Sequence, residues 1–331
     1  MVMELPTVDD IRQAAGRLAG EIVNTPVLES ALLNQALGCR VLVKAECLQR
    51  TGSFKFRGAC NRISRLNPEA RACGVVAYSS GNHAQGVAAA SQALGVSATI
   101  VIPRDAPALK IDHTRRYGAR VILYDRHTES REAIGEEIAR TEGRILVPPY
   151  DDADVIAGQG TVALELAEAL AQLGVRPDAL FCPCGGGGLV AGVSLVFQQL
   201  MPTLAVFAAE PQHFDDTRRS LLAGERLAND PAQRSICDSI VTPTPGELTF
   251  AINRRTLAGA VAVSEASVCE AMRLAFAHLK LVVEPGGVAG LAALLDGQTD
   301  CQGKTVVVVL SGGNVDLETF IRLTGGSRSV L

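Results

Sequence analysis

Short β-rich runs alternate along the chain with longer stretches of helical periodicity. The runs are Val41–Val43, Val75–Tyr78, Thr99–Ile102, Val121–Leu123, Arg144–Val147, Ala179–Phe181, Ala205–Ala208 and Val306–Leu310. Helical stretches lie between them, among them Ala84–Leu94, Ser130–Thr141, Gly160–Leu173 and Glu265–Leu279. Several open on Asn, Ser, Asp or Gly and close near Gly95, Gly143 or Gly174, as capped helices do. This order predicts an α/β fold with mostly parallel sheets covered by helices. The four runs from Val75 to Val147 are compact enough for an α/β unit of their own. A small domain over residues 65–150 is therefore expected, inside a larger one made of residues 1–64 and 151–331. The boundary falls at Pro148-Pro149-Tyr150-Asp151-Asp152, where two prolines stop the pattern before it restarts.

Composition narrows the function. With 331 residues, 47% of them apolar, and 32 glycines, the chain can bury a large core. The net charge of -4 is spread over both signs without a basic run, which argues against nucleic acid as a partner. Met1 to Gly20 has neither the basic start nor the apolar core of a secretory signal, and the apolar runs are strand-length, so no membrane span is expected. The nine cysteines are odd in number and lack a paired CxxC framework; they read as small buried hydrophobes in a reducing cytoplasm. Cys182 and Cys184 lie next to a glycine run, but two further zinc ligands at suitable spacing are missing.

Four motifs carry candidate chemistry. Lys55 lies in Thr51-Gly52-Ser53-Phe54-Lys55-Phe56-Arg57-Gly58-Ala59, read as a polar, glycine-punctuated turn. Flanking aromatics would desolvate its amine and favour the neutral, nucleophilic form; a surface lysine snorkelling over an apolar patch has the same local sequence. Ser79-Ser80-Gly81-Asn82-His83-Ala84-Gln85-Gly86 joins a strand to a helix, where free N–H groups suit a carboxylate, or simply a helix cap. Cys184-Gly185-Gly186-Gly187-Gly188-Leu189 also follows a strand, and its bare backbone can wrap a phosphate. It is no Walker loop, since no Lys-Ser or Lys-Thr follows. Ser311-Gly312-Gly313-Asn314, after the last strand, offers a neutral hydroxyl to a ring nitrogen or forms an ordinary turn.

In this order on an α/β chain, Lys55, Asn82, the glycine run and Ser311 resemble the fold-type-II pyridoxal-phosphate enzymes, which are tryptophan synthase β-like, and within them the threonine/serine dehydratase and serine racemase group. The resemblance spans Ile11 to Asp316. It implies pyridoxal 5'-phosphate as cofactor, held by Lys55 as a Schiff base with Phe54 beside it. Asn82 would contact its 3'-hydroxyl, Gly185, Gly186, Gly187, Gly188 and Leu189 its phosphate, and Ser311 its pyridine nitrogen. Ser79, Ser80, Gly81, Asn82 and His83 would receive the substrate carboxylate, with Gln85 in support. Lys55 and Ser80 would be the catalytic acid/base groups, Ser80 in any racemisation.

The implied reaction is β-elimination of a hydroxyl by an ammonia-lyase, giving a 2-keto acid and ammonia. Pro148-Pro149-Tyr150-Asp151-Asp152 and the following Val155 to Thr161 favour L-threonine and/or L-serine, while Ser80 resembles the racemases. Dehydration of 3-hydroxyaspartate or phenylserine, or serine racemisation, is the alternative: hydroxyaspartate needs a cationic partner for its second carboxylate, phenylserine an open apolar pocket. A non-catalytic phosphate- or ligand-binding protein is the rival from outside the enzymes. Glu210-Pro211-Gln212-His213-Phe214-Asp215-Asp216 is similar to the racemase cation site, which implies Glu210, Phe214 and Asp216 as oxygen ligands to magnesium, calcium or manganese. The resemblance also implies a cytoplasmic homodimer; Arg131 resembles a racemase residue near the pocket entrance, but is expected first as an exposed helix arginine.

Overall fold

The computed structural model describes residues 4–79, 81–106, 108–125 and 128–325. Among them, strands β1 (Val27–Glu29), β2 (Arg40–Ala45), β3 (Val75–Tyr78), β4 (Ala98–Pro103), β5 (Arg120–Tyr124), β6 (Ile145–Leu146), β7 (Ala179–Pro183), β8 (Ala205–Pro211), β9 (Gly259–Val263) and β10 (Thr305–Leu310) form two sheets. The six-stranded sheet has the order β1-β2-β10-β7-β8-β9 and the four-stranded one β5-β4-β3-β6. Every pairing is parallel except β1 with β2. All eight apolar runs become strands. The two strands not foreseen, β1 and β9, are the edges of the larger sheet. β1 is three residues long, and β9 is built from glycine, alanine and valine, so neither gives a strong pattern.

The pleat divides each strand between two cores. Val306, Val308 and Leu310 of β10 join Val41 and Val43 of β2 on one face. Val307, Val309 and Leu42 face the other way, against the helices that carry Leu166, Val190 and Phe197. The smaller sheet repeats the scheme, with Val75 and Ala77 in one cluster and Val76 in another. Burial on both faces is what parallel strands linked by helical crossovers require. Six of the nine cysteines, Cys39, Cys60, Cys182, Cys184, Cys237 and Cys301, are buried, and all nine are free thiols. No helix among the described residues is long and apolar enough to cross a membrane.

Three local expectations change. Lys55 does not sit in a turn: it is the first residue of the helix Lys55–Ser64. The Thr51–Gly52 segment before it, with Thr51 at φ 63° and Gly52 at φ 73°, supplies the glycine-punctuated character. The helix expected from Gly160 begins at Ala153, where the Asp152 carboxylate accepts from the N–H groups of Asp154 and Val155. Gly158 and Gly160 are interior to it because a Cβ at Gly158 would meet the Arg57 carbonyl at 2.7 Å. That close approach sets the Lys55 helix against this one. Finally, the α-helix from Glu265 ends at Leu274, and Ala275–Leu279 closes as a π-turn.

Candidate active site

The loops after β3, β7 and β10 open into one cavity, as strand C-terminal ends do in α/β folds. Phe54, Lys55, Ser79, Gly81, Asn82, His83, Gly185, Gly186, Gly187, Gly188, Leu189 and Ser311 all line it. The Lys55 and Ser311 segments, distant in the chain, are stitched together by backbone: Phe54 N–H donates to the Ser311 carbonyl at 3.1 Å, and Gly313 N–H to the Gly52 carbonyl at 2.9 Å. Helix Asn82–Leu94 presses on the same point, since Gly86 leaves no Cβ where one would lie 3.1 Å from the Lys55 carbonyl carbon. Gln85 turns out to face a second cavity, with its side-chain oxygen 3.3 Å from His113 Nδ1. Ser80 lies outside the described residues.

Lys55 Nζ donates to the Pro149 carbonyl at 2.7 Å and sits 5.2 Å from the Phe54 ring centre. Burial pulls its amine down to about 8, against a weaker upward pull from Glu284. Of the two flanking aromatics only Phe54 meets the amine; Phe56 is buried on the other side of the helix beneath the Arg50 guanidinium. Burial, followed by the charge of Lys55, pushes His83 down to about 3. His83 Nε2 is 2.9 Å from the Val147 carbonyl, which can only accept, so the neutral ring carries its proton there. His83 is thus a wall of the site rather than a proton donor.

The glycine run forms an open cradle. Gly187 has φ 92° and precedes the helix Gly188–Leu200, whose N-terminus has no side-chain cap. A Cβ on Gly186 would lie 2.4 Å from the Tyr150 ring, so a side chain there has no room. The Asn253 amide, near Gly187, and Thr242 Oγ1 are buried without partners around the cradle. Uncapped N–H groups, unpartnered polar atoms and a desolvated amine fit pyridoxal phosphate. The loop before Asn82 leads into a second helix start without a side-chain cap, and the Ser79 hydroxyl accepts from Gly81 N–H.

Several residues in or next to the cavity carried no strong sequence signal. Glu284 accepts from Asn82 Nδ2, while Asn314 Nδ2 donates to Asn82 Oδ1 at 2.7 Å. Burial pushes the Glu284 carboxyl up to about 7. Its only mark in the sequence is a lone acid in Leu281-Val282-Val283-Glu284-Pro285-Gly286-Gly287. The segment read as a boundary also frames the site. Pro149 receives Lys55, Tyr150 packs on the glycines, and Asp151 accepts from the N–H groups of Glu247, Leu248 and Thr249 at a helix start. Arg131 and Lys110 complete the cationic lining. Arg131 is paired with Glu132 at 2.7 Å and lies over Tyr78; it is a cavity residue, not a plain surface arginine.

The expected cation ligands meet only in part. Among the described residues no three or more His, Cys, Asp or Glu side chains converge as metal ligands do. Glu210 accepts from the N–H groups of Thr217 and Arg218 at 2.9 Å each, and so caps the helix Asp216–Ala223. Asp216 Oδ1 accepts from Asn229 at 2.6 Å, whereas its Oδ2 is buried without a partner. Burial and then the Asp216 charge push Glu210 up, and burial pushes Asp216 up to about 6.

Comparison with known proteins supports the cofactor chemistry. The family model described as pyridoxal-phosphate dependent enzyme matches residues 18–312. The L-threo-3-hydroxyaspartate ammonia-lyase of Saccharomyces cerevisiae is 44% identical over 324 residues, covering 98% of each chain. The protein of that name from Pseudomonas sp is 45% identical, over 98% of this chain and 100% of its own. The serine racemase of Arabidopsis thaliana is 40% identical over 93% of this chain and 92% of its own. Among solved structures, a threonine deaminase from T.th. superposes with a TM-score of 0.89 at 44% identity, covering 94% of this chain and 99% of that one. The chain therefore belongs to the pyridoxal-phosphate dependent enzymes of fold type II, in the group its four motifs resemble.

Proposed function

We propose that the protein is an ammonia-lyase that dehydrates a 3-hydroxyaspartate of the L-threo series, giving a dicarboxylic 2-keto acid and ammonia. The motifs alone put L-threonine and L-serine first. What favours the dicarboxylic substrate is the presence of two cations besides Lys55 in the cavity, Lys110 and Arg131, because a second carboxylate needs a charged partner when it leaves water. The relatives at 44% and 45% identity, named for that substrate, support the same reading. An open apolar pocket for phenylserine is not what these charged walls offer.

When bound, pyridoxal phosphate supplies an electron sink conjugated to the substrate Cα. The chain supplies the rest. The uncapped N–H groups around Gly81 and Asn82 bind the α-carboxylate at a helix N-terminus. Lys55, held near neutrality by burial, takes the Cα proton on Nζ. Asn82, fixed by Glu284 and Asn314, would help hold the cofactor, and Ser311 would offer it a hydroxyl in place of a carboxylate. The β-hydroxyl leaves with a proton, balanced by the one Lys55 takes from Cα, so that one water is lost overall, and hydrolysis of the released product yields the keto acid and ammonia. In the same proposal residues 65–150 form the small α/β domain and residues 1–64 and 151–331 the large cofactor-binding one.

The test is keto-acid release from cofactor-loaded protein with L-threo-3-hydroxyaspartate, L-threonine, L-serine and phenylserine. The expected order puts hydroxyaspartate first in kcat/KM by about tenfold or more, the worth of one charge-assisted hydrogen bond. L-Threonine in first place would overturn the substrate assignment and leave the cofactor chemistry standing.

A divalent cation beside Glu210 and Asp216 belongs to the proposal on narrower grounds, namely two buried neighbouring carboxylates and the unpartnered Asp216 Oδ2. Oxygen ligands of this kind suit magnesium, calcium or manganese, with the Phe214 carbonyl and water completing the shell. Chelator-treated protein should melt at a lower temperature than protein with magnesium or calcium added back. At a hundredfold excess over Kd the difference is about 2.7 kcal/mol. Identical melting curves, in both metals, would remove the cation.

A further inference from the structure

Lys110 and Asp238 reach the cavity from opposite sides. Lys110 stands on the helix Ala108–Arg116, next to the four-stranded sheet; Asp238 belongs to the loop between the helix Asp216–Ala223 and the helix Glu247–Thr256, on the six-stranded side. Lys110 Nζ lies 3.1 Å from Asp238 Oδ2. The same ammonium is 3.7 Å from where a Gly81 Cβ would be, so it abuts the loop proposed to take the α-carboxylate. The pair is lopsided in exposure: the lysine side chain is 12% exposed and the aspartate 58%. Both residues also line the second cavity, which makes the ion pair the wall between the two.

We propose that this ion pair is a selectivity switch, in which Asp238 holds Lys110 until the distal carboxylate of a dicarboxylic substrate takes its place. The proposal deepens the hydroxyaspartate reading and rests on it. A covered ammonium loses more by giving up a carboxylate in contact than a half-exposed carboxylate does by returning to water. Asp238 is therefore the exchangeable member. Threonine and serine have nothing to offer Lys110, and for them the pair stays closed. Arg131 is less free to exchange, since its neighbour Glu132 holds it from the same helix and Tyr78 lies under it. In this scheme Lys110 selects the substrate and Asp238 sets how much of that selectivity is realised.

The experiment compares holoenzyme carrying Lys110→Gln, Lys110→Arg or Asp238→Asn with the parent protein. Two quantities are read: the ratio of kcat/KM for L-threo-3-hydroxyaspartate to that for L-threonine, and the ratio of dissociation constants for L-aspartate and L-alanine, which lack the leaving hydroxyl. Lys110→Gln should lower both preferences about ten- to a hundredfold, mainly through KM, and Lys110→Arg should recover most of the loss. Asp238→Asn should strengthen L-aspartate relative to L-alanine, because the competing carboxylate is gone. Equal losses for both substrates in Lys110→Gln would make Lys110 an α-carboxylate or structural residue and overturn the switch. So would Asp238→Asn that weakens aspartate and alanine alike. If the parent protein prefers threonine, the substrate assignment fails by itself, and the aspartate-to-alanine ratio in the variants still decides the fate of the switch.

Discussion

Lys55→Ala is expected to give a folded, colourless protein with no borohydride-sensitive absorbance and with turnover lowered by at least about 10³-fold, the upper range for loss of a positioned proton-transfer group. The cavity holds two lysines, and geometry separates their roles. Lys110 is tied to Asp238, whereas the partner of Lys55 is the neutral Pro149 carbonyl. Burial pulls the Lys55 amine toward neutrality, to about 8. A lysine with a lowered value is protonated below it and free above it. Uptake of the cofactor by apo-protein should accordingly quicken as pH rises to about 8 and level off beyond. Stability is not expected to fall, because removing a desolvated amine relieves a burial penalty. A Lys55→Ala protein that stays yellow and reducible would move the covalent attachment to another lysine, Lys110 first.

Much of this site was legible because the chemistry concentrates in strand-to-helix loops, where short polar or glycine-rich words interrupt strong apolar runs. The glycine run after Phe181 and the Ser311 motif after Leu310 are of that kind, and both reach the cavity. Pattern fails where function depends on tertiary partners. Glu284 becomes part of the site only because the Gly312 carbonyl receives its N–H and Asn82 reaches its carboxylate, contacts 28 and 202 positions away in sequence. The helix at Lys55 was hidden for a related reason. Gly52 and Ser53 signal a turn, which exists, and the helix beginning directly after it is fixed by the pairing of Ser53 with Gly312 rather than by a cap of its own. The cation motif was legible only in part: it brings two buried carboxylates together, while its lead carboxylate, Glu210, also caps a helix.

Arg57→Met should destabilise the protein by about 3–5 kcal/mol, the range for stripping a buried charge of its partner. Arg57 is two residues after Lys55 and fully buried, as is Glu46. Its guanidinium meets the Glu46 carboxylate through both Nε and Nη2 at 2.8 Å, and Nη1 reaches Glu165 at 2.6 Å. Lys44 Nζ closes the network on Glu165 at 2.6 Å. Without the arginine, Glu165 keeps Lys44, but among the described residues the Glu46 side chain keeps only the Thr25 hydroxyl as a side-chain hydrogen-bond partner. The cost therefore falls on Glu46. The double variant Arg57→Met, Glu46→Met should recover most of the loss, since an apolar pair of similar volume leaves no buried charge behind. Arg57→Lys should recover less, because an ammonium cannot span two carboxylates as a planar fork does. Denaturant midpoints of the three variants measure this directly; a single variant within about 1 kcal/mol of the parent would mean that Glu46 is not left as an uncompensated buried charge. The network anchors the first turn of the helix that presents Lys55, so loosening it should also speed loss of the cofactor on dialysis. That second readout separates a helix anchor from a merely stabilising core charge, which would leave cofactor retention unchanged at temperatures well below melting.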